Sequence, residues 1–150
     1  MGDIRQVDQA ALRTGQMTTI TLLLAAFVIG DSAWWLVALV ALAQFLGAIK
    51  APLAPYKLLY RSLRDTGVLK PNLQPDNPEP HRFALAVGTV FNITGALLIA
   101  SGSSLAGWSL VWVVIALANL NYWLRFCLGC WMYYQLNRLG VPGFSASAAK

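Results

Sequence analysis

Four long apolar stretches separated by polar breaks set the pattern of this 150-residue chain. They cover residues 9–30, 33–49, 83–100 and 105–124, and the fourth is expected to continue as helix towards Asn137. Each has roughly the 17–25 residues that cross a hydrocarbon core about 30 Å thick. None alternates over about ten residues as a barrel strand does. A helix also satisfies its own backbone hydrogen bonds in lipid. Gly30-Asp31-Ser32 alone joins the first two stretches, and Ser101-Gly102-Ser103-Ser104 the last two. Connections this short force antiparallel neighbours. The expected fold is all-α: one domain over residues 1–150, an integral membrane four-helix bundle built of two antiparallel helical hairpins.

The loop between the hairpins, residues 50–82, reads as two parts. After Pro52 and Pro55, the stretch Tyr56 to Thr66 places Lys57, Arg61 and Arg64 on one helical side and Tyr56, Leu59, Tyr60 and Leu63 on the other. That is the pattern of a short helix lying in the membrane interface, its cations near anionic headgroups. A docking site for a soluble partner is the other reading of the same face. From Lys70 to His81 the prolines Pro71, Pro75, Pro78 and Pro80 predict an extended segment poor in helix.

Composition narrows the class. Hydrophobic residues make up 57% of the chain and charged residues 11%. An ordinary soluble domain is about 45–50% apolar and about 25% charged, so a soluble globule, a disordered tail and a nucleic-acid module are excluded. The net charge of +5 is informative by its placement. Lys50, Lys57, Arg61, Arg64, Lys70 and Arg82 lie in the central loop, Arg5 and Arg13 near the first span, and Arg125, Arg138 and Lys150 at or beyond the fourth. Neither hairpin turn holds a Lys or Arg. With four spans every cation falls on one face, which the positive-inside rule assigns to the cytoplasm together with both termini. The setting this implies is a bacterial inner membrane, with the lipid bilayer as first partner and no nucleic acid. Trp34, Trp35 and Trp108 mark the outer interface. Asp3 and Asp8 speak against reading Met1 to Gln16 as the start of a signal peptide.

Cys127-Leu128-Gly129-Cys130 is the constellation with most chemical content. Two sulfurs one helical turn apart can form a reversible disulfide or share a metal. On a continuous fourth helix they would share a face with Trp123 and Tyr134. About 1.5 Å of rise per residue would place Cys127 at the inner interface. Arg125 is the candidate thiolate stabiliser. A cytoplasmic dithiol rests reduced, open to thiol exchange, sulfur transfer or a soft metal. The plainer reading makes the cysteines small apolar residues in a helix interface. No metal site is expected, because His81 alone could add a nitrogen and reads as a solvated loop residue.

The amides Gln44, Asn92 and Asn119 form a second group in the inner half of the spans. Asn92 sits on the small-residue stripe Ala84, Gly88, Asn92, Ala96, Ala100, which permits close helix approach. These amides either hold the bundle together or, with Trp123 and Tyr134, line a pocket beneath the dithiol for a headgroup, a quinone or a thiol substrate. No carboxylate lies within a span, which disfavours a proton-coupled transporter, and no phosphate-binding glycine loop appears.

Three patches carry a resemblance: Val7-Asp8-Gln9-Ala10-Ala11-Leu12-Arg13, Pro80-His81-Arg82-Phe83-Ala84, and Arg125-Phe126-Cys127-Leu128-Gly129-Cys130 with Tyr133. In this order they resemble a bacterial domain-of-unknown-function family of small four-span integral membrane proteins. The likeness covers nearly the whole chain, and the Phe-Cys-Leu-Gly-Cys patch is its most specific part. It implies Asp8, Arg13, Arg82, Cys127 and Cys130 as the positions to carry over. It also points to thiol or sulfur chemistry, since members are often encoded near thioredoxin-like or sulfur-transfer proteins. Gln9 departs from the family in replacing an acidic residue, and Arg125 in replacing a small one.

Two functions follow. One is a cytoplasm-facing thiol protein using Cys127 as attacking and Cys130 as resolving thiol, with a thioredoxin- or rhodanese-like soluble partner. The other is a non-enzymatic accessory or scaffold subunit of a larger membrane complex, packing through its small-residue stripe, Gly88 included. Asp8 and Arg13, with Arg82, are expected to tie the two hairpins on the inner face.

Overall fold

The computed structural model describes residues 5–49 and 54–142. Lys50, Pro52, Asp3 and Lys150, used above, lie outside that range. Strand β1 (Arg5–Asp8) leads into helix α1 (Gln9–Ile29). A single 3₁₀ turn (Asp31–Ala33) then opens α2 (Trp34–Ala48). Helix α3 (Pro55–Asp65), strand β2 (Leu73–Asp76), α4 (Pro78–Ala100), α5 (Ser104–Leu124) and α6 (Leu128–Arg138) follow. Four helical segments, Gln9–Ile29, Asp31–Ala48, Pro78–Ala100 and Ser104–Leu124, are long and apolar enough to cross a membrane. The protein is a multi-pass membrane bundle. Its exposed surface is rich in apolar side chains, with Val28, Leu97 and Leu105 more than half exposed, as lipid-facing positions require.

Helix boundaries have local causes. Asp8 caps α1, its Oδ1 accepting from the Ala10 N–H at 3.0 Å, and Gly30 ends the helix at φ 94°. Asn77 caps α4 by accepting from Glu79 N–H at 3.0 Å. Pro78 and Pro80 therefore fall in the first turn, where a missing N–H costs nothing. The third span thus begins at Pro78 rather than Phe83. Prolines read as helix breakers here start one.

A second departure is the antiparallel ribbon β1–β2, which pairs Arg5 with Asp76 and Asp8 with Leu73. The all-α class holds for the membrane part, and this ribbon closes its loop end. Asp8 ties the ribbon to its surroundings. Its carboxylate accepts from Asn72 N–H at 3.0 Å and from the Tyr60 hydroxyl. Helix α3 forms as its amphipathic pattern predicts, but it turns Tyr60 and Tyr56 towards protein, the latter bonding Thr19 Oγ1 at 2.8 Å.

Among the described residues no hydrogen bond or ion pair joins Asp8 to Arg82, but Arg82 and Arg13 each reach across the hairpins. Arg82 Nε donates to the Ala48 carbonyl at the end of α2 (2.7 Å), and its guanidinium lies 3.7 Å from Glu79. Arg13 stacks over the Tyr122 ring at 5.6 Å, joining α1 to α5. At the opposite end, Asp31 accepts from Trp108 Nε1 (2.7 Å) and from Ser104, so the two short turns are bonded to each other.

Helix α4 packs against α2, α5 and α6, and α1 against α2, α3 and α5. The continuous apolar core is built from Leu23, Ala26, Val37, Val40, Ala96, Ile99, Val111 and Ile115, with Trp108. All of these lie in the half of the bundle nearer the short turns. There α4 and α5 cross at Gly95 and Gly107, where a Cβ on Gly107 would stand 2.7 Å from the Gly95 carbonyl oxygen. The loop-side half is packed differently, and the candidate site lies there.

Burial alone would raise the Asp8 carboxyl. The hydrogen bonds from Tyr60 and from the Asn72, Ala10 and Ala11 backbone outweigh it and hold the group below the usual carboxylate range. The stability this adds is complete above the ordinary carboxylate pKa and is lost as pH falls through the depressed value. Asp8→Ala is expected to cost about 1–2 kcal/mol at neutral pH through loss of the helix cap. Thermal unfolding of both proteins over a pH series should show the gap narrowing at acid pH.

Candidate functional site

The fourth span does not continue to Asn137. Helix α5 stops at Leu124, and Arg125 takes a left-handed backbone conformation, φ 54° and ψ 25°. That turn lets Cys127 become the N-cap of a separate helix, α6. Counting helical rise along α5 therefore places nothing beyond Leu124. Trp123 stays behind on α5, 75% exposed, and is not on the sulfurs' helix. Arg125 is itself exposed, and among the described residues no hydrogen bond joins it to either sulfur. Its visible contribution is the turn.

Cys127 and Cys130 are joined in a disulfide, with Cα atoms 5.1 Å apart. Cys127 Sγ also accepts from the Cys130 N–H at 3.2 Å. One turn of helix with an extended residue at its start brings the two Cα atoms within the usual bridging range of about 4.4–6.8 Å.

Helix α6 reaches this position because Gly129 lets it lie against α4. A Cβ on Gly129 would fall 2.6 Å from Ala84 Cβ and 2.8 Å from Ala84 Cα. The Leu-Gly between the cysteines is thus a packing requirement. Tyr133, one turn further along, is buried, with its ring 5.9 Å from that of Phe83.

The same docking brings in a residue that the sequence left in solvent. His81, in the first turns of α4, has its side chain about one-fifth exposed and its Nε2 2.9 Å from Asp76 Oδ2. Its Nδ1 lies 3.6 Å from Cys130 Sγ. The chain Asp76–His81–Cys130 is a carboxylate, an imidazole and a sulfur in sequence, an arrangement suited to moving a proton to or from that sulfur. His81 stands inside the Pro-His-Arg-Phe-Ala patch, which is the one sequence signal that could have found it. Asp76 had none, because its approach depends on β2 pairing. Tyr134 lies on the Asp76 side, where burial and then the Asp76 carboxylate push its phenol up.

His81 Nδ1 and the two sulfurs lie within 4.8 Å of one another. With the disulfide closed neither sulfur is a thiolate, so the oxidised cluster offers a metal one nitrogen. Reduction would free two soft ligands beside that nitrogen, which Asp76 already orients.

Below the disulfide the loop-side half of the bundle holds a partly open cavity of about 430 Å³, lined by β1, α1, α2, α3, α4, α5 and the start of α6. Cys127, His81 and Arg82 stand on its lining, as do Gln44, Gly88, Thr19 and Phe91. Of the three amides singled out in the sequence, two meet. Asn92 Nδ2 donates to Gln44 Oε1 at 2.9 Å in the buried interior. Asn119 bonds its own helix at the Ile115 carbonyl and is not on the lining.

The stripe on α4 is occupied from within. Ala84 receives Gly129, Gly88 faces the Gln44 amide at 3.1 Å from where a Cβ would be, and Ala96 is buried in the core. Gly129→Ala is expected to destabilise by about 1–3 kcal/mol through overpacking, with Ala84→Gly in the same chain recovering part of the loss. Thermal unfolding of the single and double variants checks this.

Residues 7–138 match the family model described as a domain of unknown function, DUF4395. No curated protein and no solved structure matches the chain significantly. With most of its length matched, from β1 to the last residue of α6, the chain belongs to the DUF4395 family.

Proposed function

We propose that this membrane protein is a thiol–disulfide exchange protein whose Cys127–Cys130 pair cycles between disulfide and dithiol against a soluble thioredoxin-like partner. The observation that carries this reading is the placement of the pair at the N-terminus of α6, with His81 at Cys130 Sγ and Asp76 behind the imidazole. A thiolate at Cys127 would sit where the N–H groups and dipole of α6 favour negative charge. Cys127 is thus the exchanging sulfur and Cys130 the resolving one, for a reason that does not involve Arg125.

The step balances without further reagents. A partner thiolate attacks Cys127 Sγ, the Cys127–Cys130 bond breaks, and Cys130 leaves as a thiolate that takes a proton through His81. The partner's second thiolate then attacks its own bridged sulfur and releases the Cys127 thiolate. The partner ends as a disulfide and the chain as a dithiol. A scaffold role draws less support, because the small-residue stripe proposed for an external partner is used inside the bundle.

The distribution of Lys and Arg supports placing the site, the central loop and both termini at the cytoplasmic face of a bacterial inner membrane. After mild reduction of intact cells, a membrane-permeant thiol reagent should label Cys127 and Cys130 while an impermeant one does not. Labelling by both would reverse the orientation.

Exchange itself is read by trapping. Cys130→Ser should accumulate a mixed disulfide with an oxidised thioredoxin-type probe at least about tenfold faster than Cys127→Ser, and its Cys127 should alkylate with a midpoint below that of a free cysteine. Equal trapping by both variants, or a raised midpoint, would refute the assignment.

A further inference from the structure

A disulfide that oxidises a soluble dithiol must itself be reoxidised, and the cavity beneath it is where the structure offers a route. Its volume of about 430 Å³ falls within the range of small-molecule sites, about 300–1,000 Å³. Most of its lining comes from the spanning helices, with Val7 of β1, Tyr56 and Lys57 of α3 and Met132 of α6 at the loop end. Its lining is mainly apolar, yet a buried donor stands on it. Gln44 is 5% exposed, and its Oε1 is held by Asn92. Its Nε2 makes no hydrogen bond among the described residues, and the buried side-chain atom left without a partner is Oδ1 of the adjoining Asn92. The Gly88 backbone packs against the Gln44 amide, a Cβ there falling 3.1 Å from Nε2, and both residues stand on the cavity lining. A lipid acyl chain could fill the volume but would leave the amide donor unsatisfied, which is costly in a buried site.

The spacing along α4 specifies the ligand further. Gly88 marks the Gln44 amide, and Ala84, one turn earlier, marks Gly129 between the two cysteines. Four residues of helix rise about 6 Å. The ligand therefore needs a hydrogen-bond acceptor and an electron-accepting centre on one apolar body. Both sulfurs must lose electrons together, so it must accept two.

We propose that this cavity binds a lipid-soluble quinone that reoxidises the Cys127–Cys130 dithiol, one ring carbonyl accepting from Gln44 Nε2 and the ring edge facing Cys127. This rests on the exchange reading above and names its second substrate.

In the reaction the Cys127 thiolate adds to the quinone ring. An S–C bond forms, and the displaced electron pair moves onto a carbonyl oxygen. Cys130, giving its proton to His81 Nδ1, attacks Cys127 Sγ. The S–S bond forms, the S–C bond breaks, and its electron pair returns to the ring. With the two thiol protons the ring leaves as hydroquinone. Two thiols and one quinone become one disulfide and one hydroquinone.

The test uses the full chain in quinone-free lipid nanodiscs, reduced with a small dithiol, cleared of it, and mixed with decylubiquinone. One quinone should be consumed per two thiols lost. Gln44→Leu and Gly88→Leu should slow this at least about tenfold at subsaturating quinone, the effect of one lost hydrogen bond. Gln44→Glu, close in size, serves as a second probe of the donor.

Binding is read separately in Cys127→Ser/Cys130→Ser, where decylubiquinone should quench tryptophan fluorescence saturably and compete with other quinones. Retained exchange with a soluble dithiol, combined with no saturable quenching, overturns the quinone assignment alone. So does oxidation that proceeds equally fast in all the cavity variants. Quinone reduction without any exchange overturns the soluble-partner reading and leaves the cavity assignment standing.

Discussion

The structure depends on how closely its neighbours approach α4. Lipid supplies no hydrophobic drive to bring spans together, so association rests on van der Waals contact and hydrogen bonds, and both need short distances. Helix α4 meets that need along its length. Gly95 meets Gly107 near the short turns, Gly88 faces the Gln44 amide midway, and Ala84 receives Gly129 at the loop end. Three different partners, α5, α2 and α6, use one helix. A larger side chain at Gly107 or Gly129 would meet backbone and move a helix as a unit, whereas at Gly88 it would meet only the Gln44 side chain.

That hub divides the bundle. Towards the short turns the spans are closed by a core of Leu, Val, Ile and Ala, and sealed by Asp31 bonding Trp108 and Ser104. Towards the loop the helices are held apart by α3, by the β1–β2 ribbon and by α6, and a cavity remains between them. Clasping contacts replace core packing at this end: Asp8 on Tyr60 and Asn72, Arg82 on the end of α2, and Arg13 on Tyr122. One end has the rigidity and the other the chemistry.

The chemistry in turn comes from a helix that breaks. Had α5 run on through residue 127, the cysteines would have projected from its side with Trp123 and Tyr134. The left-handed turn at Arg125 instead starts a new helix at Cys127, pointing its N–H groups at the sulfurs and laying Gly129 on α4. His81 then arrives from α4 and Asp76 from β2. The stretch from Asp76 to His81 thus meets the cysteine pair, with Cys130 49 residues beyond His81 in the chain.

By itself the sequence determined what local pattern and composition can specify. While the pairing of Gln44 with Asn92, out of three amides, was not legible, the four spans, the two tight turns and the amphipathic α3 all follow from apolar run length and turn residues. The Cys-Leu-Gly-Cys pair was equally visible. Only the tertiary structure decided the rest. Helix α4 starts among prolines because Asn77 caps it, and Asp8 bonds Tyr60 because a ribbon forms. His81 leaves solvent because α6 docks where a glycine permits it. The Asn77 cap is local, a bond to Glu79 two residues on, but the other two are contacts between segments distant in sequence, set by backbone geometry and pair distance, which neither hydropathy nor spacing encodes.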